Sequence, residues 1–431
     1  MGALISWIPR QLCALALIAP TTRLQRLLAF GIIVASQIWT IIAFIDEPGL
    51  RGLVAYCEAA GLGGFLLLSG NLLVATEDPR TSITWLKPSE KSTGSSIDTD
   101  VAGGEKSQGA KTKTWLADHT LGFPTRVWWA YSMTHSPRLL GTNVQTANIV
   151  PLPPTLSSSR LNFCLNRLFT LVTSLPLMFA TAMAPKYSQF LLDAATNQTP
   201  TLLQRAIVTS GGLIFTWNLI KSGHCFLACL AVALRLSEPD EWPNLFGALG
   251  DAYTVRRAWG RTWHQMLRKP FEAGGNGIVS LFGAKPHTFA SKYLKLYTAF
   301  ALSTFAHVWG DFVIHGNTLP PETRSNTWAK FSLDALITPQ FFMSQAVGIM
   351  IEDHVIDMIE WAWRTGKFGK VKKAKGPPGA KAKSSPGVVW YGRAIGYAWV
   401  FVWFCATYPQ YQNRLNLWSY MEPPPVAPLY D

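Results

Sequence analysis

The run LLAFGIIVASQIWTIIAFI, residues 27–45, decides the fold class. It holds no ionisable side chain. At about 1.5 Å rise per residue it comes close to the roughly 20 residues that a membrane helix needs. Arg23 and Arg26 stand in front of it, either as a topological charge or as helix-end cations that snorkel to the interface. Working outward, similar apolar runs occupy residues 53–75, 163–184, 206–234, 290–314, 332–351 and 390–408. A shorter run at 12–19 reads as an uncleaved anchor, because Ala19-Pro20-Thr21 suits signal cleavage poorly. The expectation is an all-α polytopic membrane protein with about eight transmembrane helices, a single membrane domain over residues 1–431. Composition points the same way: 48% of residues are hydrophobic and 15% charged, unlike an ordinary soluble chain.

A net charge of +13 would suit a nucleic-acid partner, yet the basic residues gather in loops between the apolar runs. That is the pattern of cytoplasmic loops, so membrane lipid is expected and nucleic acid is not. The basic loops cover 23–26, 76–160, 235–289 and 352–389, while the intervening connections carry few cations. If 206–234 crosses once, every basic loop falls on one face. Asn197, in Asn197-Gln198-Thr199, then falls on the other, where glycosylation takes place. Two low-complexity segments, 88–113 and 370–387, cannot build a core and read as mobile. The six cysteines sit in apolar segments without the paired spacing of a metal or redox site. They read as core residues, and no metal is expected.

Ionisable residues inside apolar runs are costly, so they are the first places to look for chemistry. The segment FALSTFAHVWGDFVIH, residues 300–315, places Ser303, His307 and Asp311 four residues apart on one helical face. A histidine in apolar surroundings stays neutral and can accept a proton, as a general base must; the same residue can equally be a buried structural histidine. The loop 236–288, read as cytoplasmic, carries WGRTWHQ at 259–265, followed by a turn-like EAGGNG at 272–277. Its tryptophans and arginines suit a membrane interface. They also suit a tunnel mouth where Arg256, Arg257, Arg261 and His264 meet the phosphates of coenzyme A. Lys221 and His224 interrupt 206–234 together with several glycines, which implies a kinked helix, two short segments or a polar patch facing other helices. Glu58, Glu352 and Asp353 are either partners for Arg or Lys or the lining of a polar tunnel.

WGRTWHQ, followed about forty residues later by STFAHVWGD at 303–311, is similar to the wax synthase type of membrane-bound O-acyltransferase. SPRLLGTNVQTANIVPLPP at 136–154, LSEPDEWPNLFGALGDAYTVRRAWG at 236–260 and QAVGIMIEDHVID at 345–357 resemble its fungal branch. The resemblance covers residues 123–408. It implies an enzyme of the endoplasmic reticulum membrane that moves acetyl from coenzyme A to a hydroxyl on a terpenoid or meroterpenoid. Acetyl-coenzyme A is then a co-substrate, with no tightly bound cofactor, and the partners are an acyl-coenzyme A and an apolar alcohol. Plant relatives esterify fatty alcohols, so wax ester or sterol ester synthesis is the alternative. Transport is a second class, disfavoured because neither histidine motif recurs in a second copy. By this resemblance His307 is the catalytic membrane histidine. His264 falls where many members have asparagine after the tryptophan, and Arg257, Arg261 and Trp263 line the donor site. Asp311 either holds the imidazole in one tautomer or pairs with a basic residue elsewhere. His307 and Asp311 also spell HxxxD, a signature of soluble coenzyme A acyltransferases, which the membrane runs make a coincidence.

The charge bias places 88–113 and 370–383 in the cytoplasm. External protease should therefore cut both loops in sealed microsomes, and protection of both would reverse the orientation.

Overall fold

The computed structural model of the protein describes residues 6–19, 21–46, 52–86, 115–116, 122–182, 201–318, 337–365 and 386–415. Among these, ten helices longer than ten residues carry the architecture. They are α1 (Ile8–Ile18), α2 (Arg23–Asp46), α3 (Gly52–Gly70), α4 (Phe123–His135), α5 (Arg160–Ala182), α6 (Leu202–Ala233), α7 (Arg268–Leu281), α8 (Phe289–Thr318), α9 (Ile337–Arg364) and α10 (Pro386–Leu415). The extended structure among the described residues is a ribbon pairing Trp85 with Leu116 and Leu86 with Trp115. The fold is all-α, as the apolar runs require.

Four segments, Arg23–Ile45, Val54–Ala75, Arg160–Ala182 and Leu202–Ala233, are long and apolar enough to cross a membrane. Helices α8, α9 and α10 run for 30, 28 and 30 residues and are also long enough to cross. Helix α1, by contrast, has 11 residues. At roughly 16 Å it reaches about half the depth of the hydrocarbon core, so the N-terminal anchor is not a full span by itself. It packs against α2 and α4 instead. On α5, Leu161, Leu165, Phe169, Val172, Leu175 and Phe179 stand exposed at helical spacing. In water such a stripe would be a sticky patch, whereas lipid tails are as apolar as the side chains themselves.

Local chemistry sets the helix ends. Thr201 caps α6: its hydroxyl accepts from the Gln204 amide at 3.3 Å, and Gln204 Oε1 accepts from the Thr201 amide at 2.7 Å. From this cap α6 runs unbroken for 32 residues, so neither a break nor a pair of short segments occurs at Lys221 and His224. His224 lies edge-on to Trp242 with ring centroids 5.4 Å apart. Arg26 is buried and donates to the carbonyls of Thr21 and Glu77, tying the start of α2 to the segment after α3. Cys13, Cys225 and Cys405 are buried as expected, but Cys57 is exposed on a cavity wall.

Small residues let the helices approach closely, as membrane packing favours. A Cβ at Gly63 would lie 2.6 Å from the Ala306 carbonyl oxygen, and one at Gly310 would lie 2.6 Å from the Tyr56 ring. Helices α3 and α8 therefore touch backbone to backbone beside His307. The EAGGNG stretch is not a turn but part of α7. Two of its three glycines sit in close contact: a Cβ at Gly274 would lie 2.6 Å from Leu302, and one at Gly275 would lie 3.3 Å from Lys295. Residues 88–113, 370–385 and Asn197 lie outside the described residues, whereas Pro386 and Gly387 already belong to α10.

Gly63→Val should force α3 off α8 and cost about 1–3 kcal/mol. Gly31→Val makes the comparison, since nothing lies within 4 Å of that position. Thermal unfolding in detergent should show a lowered midpoint for the first variant alone. Equal midpoints would mean that the α3–α8 contact tolerates a wider spacing.

Candidate active site

The loop between α6 and α7 folds back into the bundle because carboxylates on α9 receive it. Glu352 accepts from the backbone amides of Val255 and Arg256, the latter at 3.1 Å, and from the Trp399 indole at 2.9 Å. Its neighbour Asp353 accepts from Arg256 Nε at 3.1 Å, from Tyr293 Oη at 3.1 Å and from Lys292 Nζ at 2.8 Å. Burial alone would raise the Asp353 carboxyl, but its bonds to Arg256 and Lys292 outweigh that and hold it below its ordinary value. Both acids thus act as partners for the loop and for basic residues.

Held this way, residues 258–262 form a single π-helical turn that carries Trp259 inward. The indole of Trp259 donates to Gln345 Oε1 at 3.3 Å and meets Phe300, Phe404 and Phe341 at centroid distances of 5.9, 5.9 and 6.3 Å. Gln265 secures the end of the motif, donating to the carbonyls of Trp259 and Trp263 at 2.9 and 2.7 Å. His264 follows from this path. It lies between Phe246 and Trp263, with centroids 5.9 and 5.5 Å away.

Both histidine motifs line one cavity of about 2030 Å³. His264 lies on the wall of this cavity, where burial pushes its imidazole down to about 3, with His307 adding to the shift. It is neutral at any physiological pH. Its Nδ1 is buried with no hydrogen-bond partner among the described residues. His307 packs against Phe342 at 4.6 Å, and Phe342 also meets Trp259 at 6.4 Å, so one ring bridges the two motifs.

On α8 the Ser303 contact to the imidazole is made by backbone and not by side chain. His307 Nδ1 lies 2.8 Å from the backbone carbonyl of Ser303, which can only accept. Nδ1 therefore carries the proton, and Nε2 of the neutral ring is left as an acceptor. Asp311 accepts from the Thr338 hydroxyl on α9 and is buried, so the helix backbone rather than this carboxylate sets the tautomer. The same bond to the carbonyl one turn back fixes His135 and His354, which periodicity alone cannot distinguish from His307. Lining the cavity beside a second histidine motif is what sets His307 apart from His354.

Lys295, Ala299, Ser303 and His307, each four residues apart, all line the cavity. One face of α8 thus runs roughly 18 Å from a cation past small side chains to the imidazole. Four of the cations along the wall already have acidic partners. Arg257 pairs with Asp251 and stacks on Tyr253, Arg256 and Lys292 share Asp353, and Arg268 pairs with Glu272. Arg261, Lys221 and Lys295 have no acidic partner among the described residues. Trp263 is in the same wall, edge-on to Trp217 at 6.1 Å. Sequence reasoning missed Lys295, since a lysine near the start of a membrane helix looks like any interfacial cation. It also missed Phe342 and Gln345, which look like ordinary residues of a buried helix.

Comparison with known proteins adds the lineage. Residues 242–332 match the Membrane bound O-acyl transferase family. The chain is 30% identical over 300 residues to acetyltransferase ple2 of Rhodocybe pseudopiperita, covering 66% of each chain. It is 26% identical over 310 residues to acetyltransferase eriL of Hericium erinaceus, covering 71% of this chain and 69% of that protein. Acetyltransferase spyB of Aspergillus fumigatus is 32% identical over 191 residues, 44% of this chain and 28% of that protein. The chain thus spans about two thirds of the length of the first two relatives, and no solved structure matches it significantly. Because the family match falls on the stretch that carries both histidines, the chain belongs to the membrane-bound O-acyltransferase family.

Proposed function

We propose that this protein is an O-acetyltransferase that moves acetyl from coenzyme A onto a hydroxyl of an apolar secondary metabolite, in the endoplasmic reticulum membrane. The observation that carries the reading is one cavity holding His264, His307 and cations, Arg261, Lys221 and Lys295 among them, that have no acidic partner among the described residues. A terpenoid or meroterpenoid alcohol is the acceptor class, in keeping with relatives named as acetyltransferases. The loops 88–113, 236–288 and 370–387 face the cytoplasm, and Asn197 faces the lumen.

An alcohol is a poor nucleophile at neutral pH, so attack on a thioester needs a base as the new bond forms. Nε2 of His307 takes the hydroxyl proton. The alcohol oxygen bonds to the acyl carbon, the carbon–sulfur bond breaks, and the thiolate leaves to be protonated from the imidazolium. His264, neutral and beside His307, donates a hydrogen bond to the developing oxyanion. Asp311 holds α8 to α9 through Thr338, which keeps His307 in register. No nucleophile motif accompanies the histidines in the sequence, so transfer is direct, with both substrates bound. Arg261, Lys221 and Lys295 receive the phosphates of the donor, with Trp263 and Arg257 beside them.

The direct test is purified enzyme with acetyl-coenzyme A and a panel of terpenoid alcohols, read as a mass gain of one acetyl group. His307→Ala should lose about a hundred to ten thousandfold in turnover, the usual worth of a positioned base. His264→Ala should lose about a hundredfold, as when one oxyanion donor is removed. Asp311→Asn should do less damage than either. Wild-type turnover by folded His307→Ala enzyme would remove its catalytic role.

For the donor, Lys295→Ala and Arg261→Ala should each raise KM for acetyl-coenzyme A about tenfold, the usual worth of a charged hydrogen bond. Their effect on kcat should be smaller. A dephosphorylated donor such as acetyl-pantetheine should show no such difference, and equal losses with both donors would count against phosphate contact.

A further inference from the structure

A second polar group sits in the cavity wall, on two helices that carry neither histidine motif. Arg10 on α1 and Glu58 on α3 line the same cavity as His307. Arg10 donates from Nη1 to the Ser6 carbonyl at 2.8 Å, and its guanidinium lies 5.8 Å from the Trp7 ring and 5.4 Å from the Phe65 ring. A guanidinium has five N–H donors, and this is the one hydrogen bond that Arg10 makes among the described residues. Glu58 is near enough for the two charges to interact, yet it forms no hydrogen bond or ion pair with any described residue. Tyr56, in the same wall, is different. Its hydroxyl is engaged with that of Tyr411 at 2.7 Å.

The position of this pair follows from the glycines of α3. A Cβ at Gly61 would lie 4.0 Å from Arg10 Nη2, one at Gly63 would meet the Ala306 carbonyl, and one at Gly64 would lie 3.1 Å from Leu267. Ala306 precedes His307, and Leu267 follows His264 by three residues. One turn of α3 thus adjoins Arg10 and both histidine-bearing segments. Unpaired charges among membrane helices are expensive and mark functional positions. A donor and an acceptor that face one cavity without closing on each other leave room for a ligand's oxygen.

Resting on the acyl-transfer reading, we propose that Arg10 and Glu58 hold a second oxygen function of the acceptor, remote from the hydroxyl that is acylated. A hydroxyl there accepts from Arg10 and donates to Glu58, whereas a carbonyl takes Arg10 alone. The acceptor is therefore an alcohol bearing at least one further oxygen, and a plain hydrocarbon alcohol leaves both charges unmet.

The test uses two tricyclic diterpene alcohols that differ by one hydroxyl at the end of the ring system away from the reacting group. Their equilibrium binding to purified enzyme in nanodiscs, and their acetylation, give diol-to-monoalcohol ratios. In the wild type both ratios should favour the diol by about tenfold, the usual worth of a hydrogen bond to a charged group. Arg10→Met and Glu58→Gln should each bring them towards one, and Arg10→Lys should retain part of the preference. Gel filtration separates misfolded variants from informative ones. Ratios near one in the wild type, unchanged ratios in both variants, or no binding of either compound would overturn the subsite. A binding preference that the variants abolish, with no acetyl transfer to either compound, would instead keep the subsite and remove the acyl-transfer reading.

Discussion

Glu352 accepts hydrogen bonds from two successive backbone amides of the inter-helix loop and from an indole on α10. Those amides open the short turn that leads to Trp259, and without an acceptor they would be buried donors. The carboxylate meets them and also fixes where the loop enters the bundle. Everything after that entry point depends on it: the π-helical turn, the inward indole of Trp259 and the placing of His264 on the cavity wall. Asp353, one residue on, clamps the Arg256 side chain and joins it to Lys292 on α8. Two adjacent acids thus join loop, α8, α9 and α10 at one end of the cavity.

The second constraint is steric. Helices α3 and α8 meet at glycines where any side chain would collide with backbone or with an aromatic ring. In lipid the hydrophobic effect does little to drive helices together, so close van der Waals contact carries more of the association. This contact places α3 beside Ala306 and His307, and so brings Glu58 and Tyr56 into the wall of the same chamber. The Nδ1 proton of His307 is held by its own helix, while Asp311 binds α9 through Thr338.

Charge along the cavity is sorted by the same packing. Where an acid is within reach, the arginine or lysine becomes structural; where none is, the cation remains available to an anionic ligand. Sequence position does not separate the two groups. Arg257 and Arg261 are four residues apart in one motif, yet the first is paired with Asp251 and the second has no acid beside it.

By itself the sequence determined the membrane character, the helical class, the approximate placing of the long helices and the two motifs that meet in the cavity. These follow from local properties: apolar runs long enough to cross lipid, and residue types costly enough in such runs to need a reason. The glycines of 274–277 misled because their local preference is for turns, while Gly274 and Gly275 pack against α8 as part of a helix. Tertiary structure alone decided that His264 shares a cavity wall with His307, that Asp311 binds Thr338, and that Arg10 and Glu58 line the same cavity. Each depends on which chain segments, 27 or more residues apart, come to share one space, and periodicity within a single helix carries no record of that.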